Sequence, residues 1–259
     1  MAVDLLSPFV SAPEKAGVFL DFDGTLSEIA HLPSEARPVA GTRHLLEDMA
    51  HRFALVAVVS GRSAHQLLEW LGPGVEIWGV HGAERSLDGA VVLSARAEPY
   101  AELMQRVKND AEAAISKIDF PGVVIEDKGV MIGLHFRAAA DVEAARAALD
   151  RLADDLAARH GLLRAGGRLA FELRPPLEFS KAAVVLERSR ELGLRAAAFV
   201  GDDRVDLPAF DALDILAEEG VATLRVAVDS NEAPPELLRR ADVVVQGPSG
   251  VTRFLRALV

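Results

Sequence analysis

Two carboxylates, Asp21 and Asp23, stand one residue apart in GVFLDFDGTL, after an apolar run and directly before Gly24. On a strand, side chains two positions apart point the same way, so each makes the other harder to ionise. A second acidic group, Asp202, Asp203 and Asp206 in GDDRVD, ends another apolar run. Five carboxylates at one crevice repel one another unless a hard cation sits among them, and an all-oxygen donor set suits Mg²⁺. A Lys from another segment would complete the balance. Taken singly, a DxD or a GDD is a turn with an N-capping Asp. With both at strand ends and VVSGRS between them, chance is the weaker account.

These residues need elements to gather them. Apolar runs recur at 18–21, 54–60, 77–82, 196–203, 224–228 and 241–247, with helix-period segments at 39–52, 63–71, 181–192 and 233–240. Continuous apolar strands alternating with amphipathic helices predict an α/β fold, a doubly wound parallel sheet of Rossmann-like type covered on both faces. Ligands of such sheets bind off the carboxyl ends of the strands, and these ends carry Asp21, Asp23, Ser60, Asp202 and Asp203.

The middle of the chain has another rhythm. Residues 98–118 and 141–159 read as helices, GVVIED and GVMIGLHFR as strands joined through Lys128 and Gly129, and LLRAG and RLAFELR as a hairpin around Gly166 and Gly167. The pattern predicts an α+β unit at 95–175 inserted into a core formed by 1–94 and 176–259. Pro99 and Pro175-Pro176 punctuate its borders.

Composition narrows the function classes. A net charge of −11 with scattered Arg argues against nucleic acid, and the absence of cysteine removes disulfides, zinc-thiolate sites and thiol nucleophiles. Asp4 and the lack of a basic N-terminal stretch predict no secretory signal, and no apolar run approaches the roughly 18 residues of a membrane helix. The expectation is a cytoplasmic protein with no membrane association and no obligate protein partner. HExxH, GxxxxGK[ST] and GxGxxG are absent, and SGRS does not match G-x-S-x-G. His81 reads equally as a ligand contact or a loop residue, and His135 as structural or substrate-facing.

DFDGT, Ser60 in VVSGRS, Lys181 in EFSKA and GDDRVD together resemble the signature of the haloacid dehalogenase-like phosphotransferases. The resemblance implies that Asp21 is the nucleophile on phosphorus and Asp23 the general acid and base. It places Thr25, Ser60 and Lys181 on the phosphoryl oxygens, and Asp21, the Asp23 main-chain carbonyl and Asp202 on Mg²⁺, with Asp203 and Asp206 behind or beside it. FLDFDGTLSEIAHLPSEA, WGVHGAE, IEDKGVMIGLHFR and FELRPP extend the resemblance to the trehalose-6-phosphate phosphatases over nearly the whole chain. That family implies hydrolysis of trehalose 6-phosphate through an aspartyl-phosphate, as a step of trehalose biosynthesis. Its inserted unit is a cap over the sugar, contacted here through Glu126, Lys128 and Glu172, with Arg137 and Arg168 as further candidates. On the residues alone, Glu126, Lys128 and Arg137 read as cross-strand salt bridges of a hairpin. Val205 and Leu207 stand where the family usually has Thr and Glu, and Ala182 where a Gly follows the Lys. Two alternatives stand beside this reading: a phosphatase for sucrose, glucosylglycerate, mannosylglycerate or another osmolyte phosphate, and a catalytically silent sugar-phosphate sensor. The sensor would be expected to lose Asp21, Asp23, Lys181 or Asp202, all of which are present.

Overall fold

The computed structural model describes residues 5–30, 35–94, 97–118, 120–167, 169–177, 179–230 and 233–259. A short helix α1 (Ser7–Ser11) leads into β1 (Ala16–Leu20), α2 (Thr42–Ala50), β2 (Leu55–Val59), α3 (Ala64–Leu71), β3 (Glu76–Gly79), β4 (Glu84–Leu87) and β5 (Ala90–Leu93). Next come α4 (Ala101–Ile118), β6 (Val124–Asp127), β7 (Ile132–His135), α5 (Val142–His160), β8 (Leu163–Gly167) and β9 (Ala170–Arg174). The chain closes with α6 (Lys181–Glu191), β10 (Ala196–Gly201), α7 (Leu207–Glu218), β11 (Ala222–Asp229), α8 (Pro235–Arg240), β12 (Val243–Gln246) and α9 (Gly247–Leu258). It divides into two compact units, the first from 1–92 with 179–259 and the second from 93–178.

The first unit holds an eight-stranded sheet in the order β12-β11-β10-β1-β2-β3-β4-β5. The strands from β12 to β3 pair in parallel, and β4 joins β3 antiparallel. All five residues of β1 and of β2 are buried, which is why these segments read as unbroken apolar runs. Successive residues feed opposite layers. Val18 and Leu20 pack with Leu46 of α2, Leu67 of α3 and Val251 of α9. Phe19 packs with Val185 of α6, Leu213 of α7 and Leu237 of α8. From β1 the chain builds outward to β2 and β3 on one side and, later, to β10, β11 and β12 on the other. The crevice between the carboxyl ends of β1 and β10 is therefore the switch point of the sheet.

The β4–β5 hairpin lies outside the sequence reading, although its turn was signposted. Asp88 and Gly89 both have positive φ, 51° and 79°, the backbone that makes Asp-Gly a strong hairpin signal.

The second unit is a four-stranded antiparallel sheet, β6-β7-β9-β8, with α4 and α5. Ile132 and Leu134 of β7, with Phe171 and Leu173 of β9, pack against Met104 and Val107 of α4 and Leu149 and Leu156 of α5. The intervening residues Gly133, His135 and Glu172 belong to the other face. No helix among the described residues is long and apolar enough to cross a membrane.

Phe210 is fully buried and meets the ring of Phe199 edge to face at 6.4 Å between centroids. Phe210→Ala should destabilise the first unit by roughly 3–5 kcal/mol. Both tryptophans, Trp70 and Trp78, lie in that unit, so urea unfolding followed by tryptophan emission reads it directly. A change below about 1 kcal/mol would show that this layer is not packed as described.

Candidate active site

Lys181 is the first residue of α6, whose N-cap Ser180 accepts the Ala183 amide. Its ammonium, 2% exposed, lies 2.6 Å from Asp21 Oδ1 and 2.6 Å from Asp206 Oδ1. Asp21 directly follows β1 and continues its ladder by donating its amide to Val200 of β10. The second oxygen of Asp206 accepts the amides of Asp202 and Asp203 at 3.0 and 3.1 Å. Both Asp206 oxygens are thus engaged, and the side chain holds the acidic turn and Lys181 together.

One oxygen each from Asp21, Asp202 and Asp206 lies within 4.8 Å of the others, the one such acidic group among the described residues. Three carboxylates face one ammonium, which leaves two negative charges without a counter-charge. Burial drives the Asp21 pKa up to about 7, with the Lys181 charge opposing and Asp206 adding to the rise. Burial, then the charges of Asp21 and Asp206, pushes Asp202 up to about 8. For Lys181 burial works downward, but Asp206 and Asp21 outweigh it and raise its pKa. Asp202 Oδ1 is buried without a hydrogen-bond partner. Gly24, at φ +73°, crosses so close that a Cβ there would lie 1.9 Å from Asp202 Oδ2. An orphaned oxygen, an all-oxygen donor set and uncompensated negative charge fit a hard divalent cation.

The other predicted core residues are placed differently. The Asp23 carboxylate is turned to Arg62, whose Nε and Nη2 donate to its two oxygens at 2.7 Å each. Arg62 also donates to Gln66 and stacks over Phe22 and Trp70. Arg62 was not singled out in the sequence, although it stands in the quoted VVSGRS two residues after Ser60. A cation beside a phosphoryl-type Ser was the available signal. The exposed Asp203 accepts the Arg204 amide and caps the turn, so its carboxylate is not in the buried group. Ser60 directly follows β2, is buried, and accepts the Arg62 amide at 3.3 Å. The hydroxyl of Thr25 is buried without a hydrogen-bond partner.

In the second unit Glu126, Gly133 and Glu172 stand in one register row across β6, β7 and β9. Lys128 lies 3.5 Å from Glu126 and 3.2 Å from Glu172, and His135 Nε2 is 2.8 Å from Glu126. Burial alone would raise the Glu126 pKa, but the His135 hydrogen bond and the Lys128 charge lower it to about 2. Cross-strand ion pairing of Lys128 with Glu126 and Glu172 is therefore present, and His135 joins it through its hydrogen bond to Glu126. Arg137 is half-buried in the turn after β7. Arg168 lies outside the described residues.

Residues 19–243 match the family model described as trehalose-phosphatase. The chain belongs to the trehalose-phosphatase family. A trehalose-phosphate phosphatase of Mycobacterium avium is 36% identical over 220 residues, covering 80% of this chain and 54% of that protein. The chain thus spans about half the length of the curated relatives it matches. A solved trehalose-6-phosphate phosphatase related protein superposes with a TM-score of 0.77 at 26% identity, over 93% of this chain and 96% of its own. A haloacid dehalogenase-like hydrolase from Bacteroides thetaiotaomicron shares the fold alone, with a TM-score of 0.58 at 16% identity, over 94% of this chain and 99% of that one. Within the family frame, the matched span includes both acidic segments, Ser60 and Lys181.

Asp21 and Asp202 titrate near 7 and 8 in the folded chain, against about 4 in an unfolded one. Over that range the folded state holds more protons than the unfolded state. Without a divalent cation, stability should therefore fall as pH rises from about 4 to about 8. In chelator, Asp202→Asn should unfold at higher urea than the parent at pH 8, the gain shrinking towards pH 4. A parent at least as stable as the variant at pH 8 would give the opposite sign to the one burial requires.

Proposed function

We propose that this chain is a Mg²⁺-dependent phosphomonoesterase that hydrolyses trehalose 6-phosphate to trehalose and phosphate through an aspartyl-phosphate on Asp21. The observation that carries the reading is the buried Asp21 carboxylate, held 2.6 Å from Lys181 at the sheet's switch point, in a chain whose residues 19–243 match the trehalose-phosphatase family. Asp21 and Asp202, with the Asp23 carbonyl, are the residues that would hold Mg²⁺. Bound there, the ion supplies positive charge to Asp21 and the phosphoryl oxygens.

Asp21 attacks phosphorus, an Oδ–P bond forms, and the bond from phosphorus to the sugar O6 breaks. Asp23 gives its proton to the departing alkoxide and takes one from the water that then attacks the aspartyl-phosphate, which regenerates the Asp21 carboxylate. Lys181 offsets charge on the phosphoryl oxygens as it builds in each transition state. The unpartnered Thr25 hydroxyl and the buried Ser60 hydroxyl are the neutral groups that would bind those oxygens. Arg62 holds Asp23 as the carboxylate through its two-point contact, and that contact must open for Asp23 to carry the proton it gives. In the second unit, which we take as the cap, the paired row of Glu126, Lys128 and Glu172, with Arg137 beside it, would recognise sugar hydroxyls.

A second reading keeps the chemistry and changes the sugar. It is favoured by Val205, half-exposed in the acidic turn where the family is usually polar.

The purified chain should release phosphate from trehalose 6-phosphate with a higher kcat/KM than from sucrose 6-phosphate, glucose 6-phosphate or glucosylglycerate phosphate. Chelator should abolish release and Mg²⁺ restore it. Asp21→Asn should lose at least ~1,000-fold in kcat while staying folded. Near-normal turnover by that variant would remove the covalent mechanism, and a preference for another sugar phosphate would replace the substrate. Glu126→Ala should damage turnover of trehalose 6-phosphate by roughly 10-fold or more while sparing 4-nitrophenyl phosphate, because remote sugar contacts are used to reach the transition state. Equal losses on both substrates would leave Glu126 a structural ion pair.

A further inference from the structure

The WGVHGAE segment takes no part in the chemistry above, yet it packs against the loop that carries Ser60 and Arg62. Ser60 donates its amide to Trp78, His81 donates to Ser60 at 2.9 Å, and Val80 donates to Arg62 at 2.8 Å. A Cβ on Gly61 would lie 2.9 Å from His81 Nε2. One on Gly79 would lie 2.2 Å from the Ala64 amide nitrogen and 2.9 Å from the Arg62 carbonyl, so β3 ends in direct backbone contact with the loop. To make these contacts Val80 and His81 adopt φ of 48° and 56°. Such backbone costs of order 1–3 kcal/mol per residue and is especially unfavourable for a β-branched Val, so surrounding contacts must hold it.

Glu84 supplies the fixing contact. It is the first residue of β4 and pairs across the strands with Gly79. Its side chain, 4% exposed, accepts the Ala64 amide through Oε2 at 2.7 Å. Ala64 is the first residue of α3, whose N-cap Ser63 accepts the Gln66 amide. One buried carboxylate thus ties the start of α3, and the loop before it, to the end of β3. α3 in turn presents Gln66 and Trp70 to the Arg62 guanidinium that grips Asp23.

We infer that Glu84 is a positioning residue, which holds the Ser60–Ala64 loop in the one shape that places Ser60 for the phosphoryl group and Arg62 for Asp23. The assignment rests on the phosphatase reading for what Ser60 and Asp23 do, and on the Glu84 hydrogen bond to Ala64 and the surrounding backbone geometry for what Glu84 holds. A purely structural Glu84 would change the unfolding midpoint and leave the kinetic constants of the folded enzyme untouched.

The test compares Glu84→Gln, which keeps the reach and an acceptor oxygen, with Glu84→Asp, one methylene too short, and Glu84→Leu, which has no acceptor. With 4-nitrophenyl phosphate, the Asp and Leu variants should lose roughly 10-fold or more in kcat/KM, and inhibition by inorganic phosphate should weaken by a similar factor. The Gln variant should stay within about threefold of the parent. If the Leu variant does not fold, the Asp and Gln pair decides. Folded Asp or Leu variants with parental kcat and phosphate inhibition would overturn the assignment, as would a Gln variant as impaired as Asp. The backbone amide resonances of Ser60 and Arg62 should shift in Glu84→Asp and keep their positions in Glu84→Gln. Unshifted resonances in the Asp variant would overturn the brace whether or not the chain hydrolyses phosphate esters, whereas a parent without activity fails the phosphatase reading and leaves this readout standing.

Discussion

The ammonium of Lys181 between Asp21 and Asp206 is the contact on which the first unit's site depends. It joins the end of β1, the start of α6 and the turn after β10, three segments far apart in the chain. Losing the ammonium would leave its buried carboxylates uncompensated, at a cost of roughly 3–5 kcal/mol. The parallel pairing of β1 with β10 delivers the two aspartates, and the Phe199 ring, 5.9 Å from the ammonium, floors the space where Lys181 lies. Asp206 is the quiet member. With both oxygens already bonded, it shapes the turn so that Asp202 faces the crevice.

The charged clusters of the two units have opposite electrostatic characters. In the first, burial and mutual repulsion push Asp21 and Asp202 towards protonation, the mark of a site short of positive charge. In the second, His135 and Lys128 hold Glu126 well below its ordinary value. A site of the first kind has the shortfall of positive charge that a hard divalent cation would meet. A row of the second kind offers directional hydrogen-bonding groups already paired with one another across the strands.

The three departures from the family pattern differ in kind. Leu207 and Ala182 both pack against the apolar layer under α6 and α7. Ala182 follows Lys181 in the first turn of α6, where alanine favours helix more than a glycine would. Both changes fall on packing rather than on the acidic group. Val205 is half-exposed in the turn between Asp203 and Asp206 and is the most exposed of the three.

Much of this was legible in the sequence because its causes are local. Unbroken apolar runs report strands buried on both faces, glycine reports the close approach at Gly24, and acids after those runs report strand ends at a crevice. The direction of each carboxylate was not legible. Asp21 and Asp23 share a face by spacing, yet one turns to Lys181 and the other to Arg62, because each partner arrives from a different strand or helix. Asp203 and Asp206 stand three apart in one motif, yet one caps a turn at the surface and the other is sealed beneath it. The types of residue and their strand-end positions follow from the sequence. Which oxygen meets which charge follows from the tertiary packing, since hydrogen-bond geometry and burial exist only once β1, β2, β10, α3 and α6 have come together.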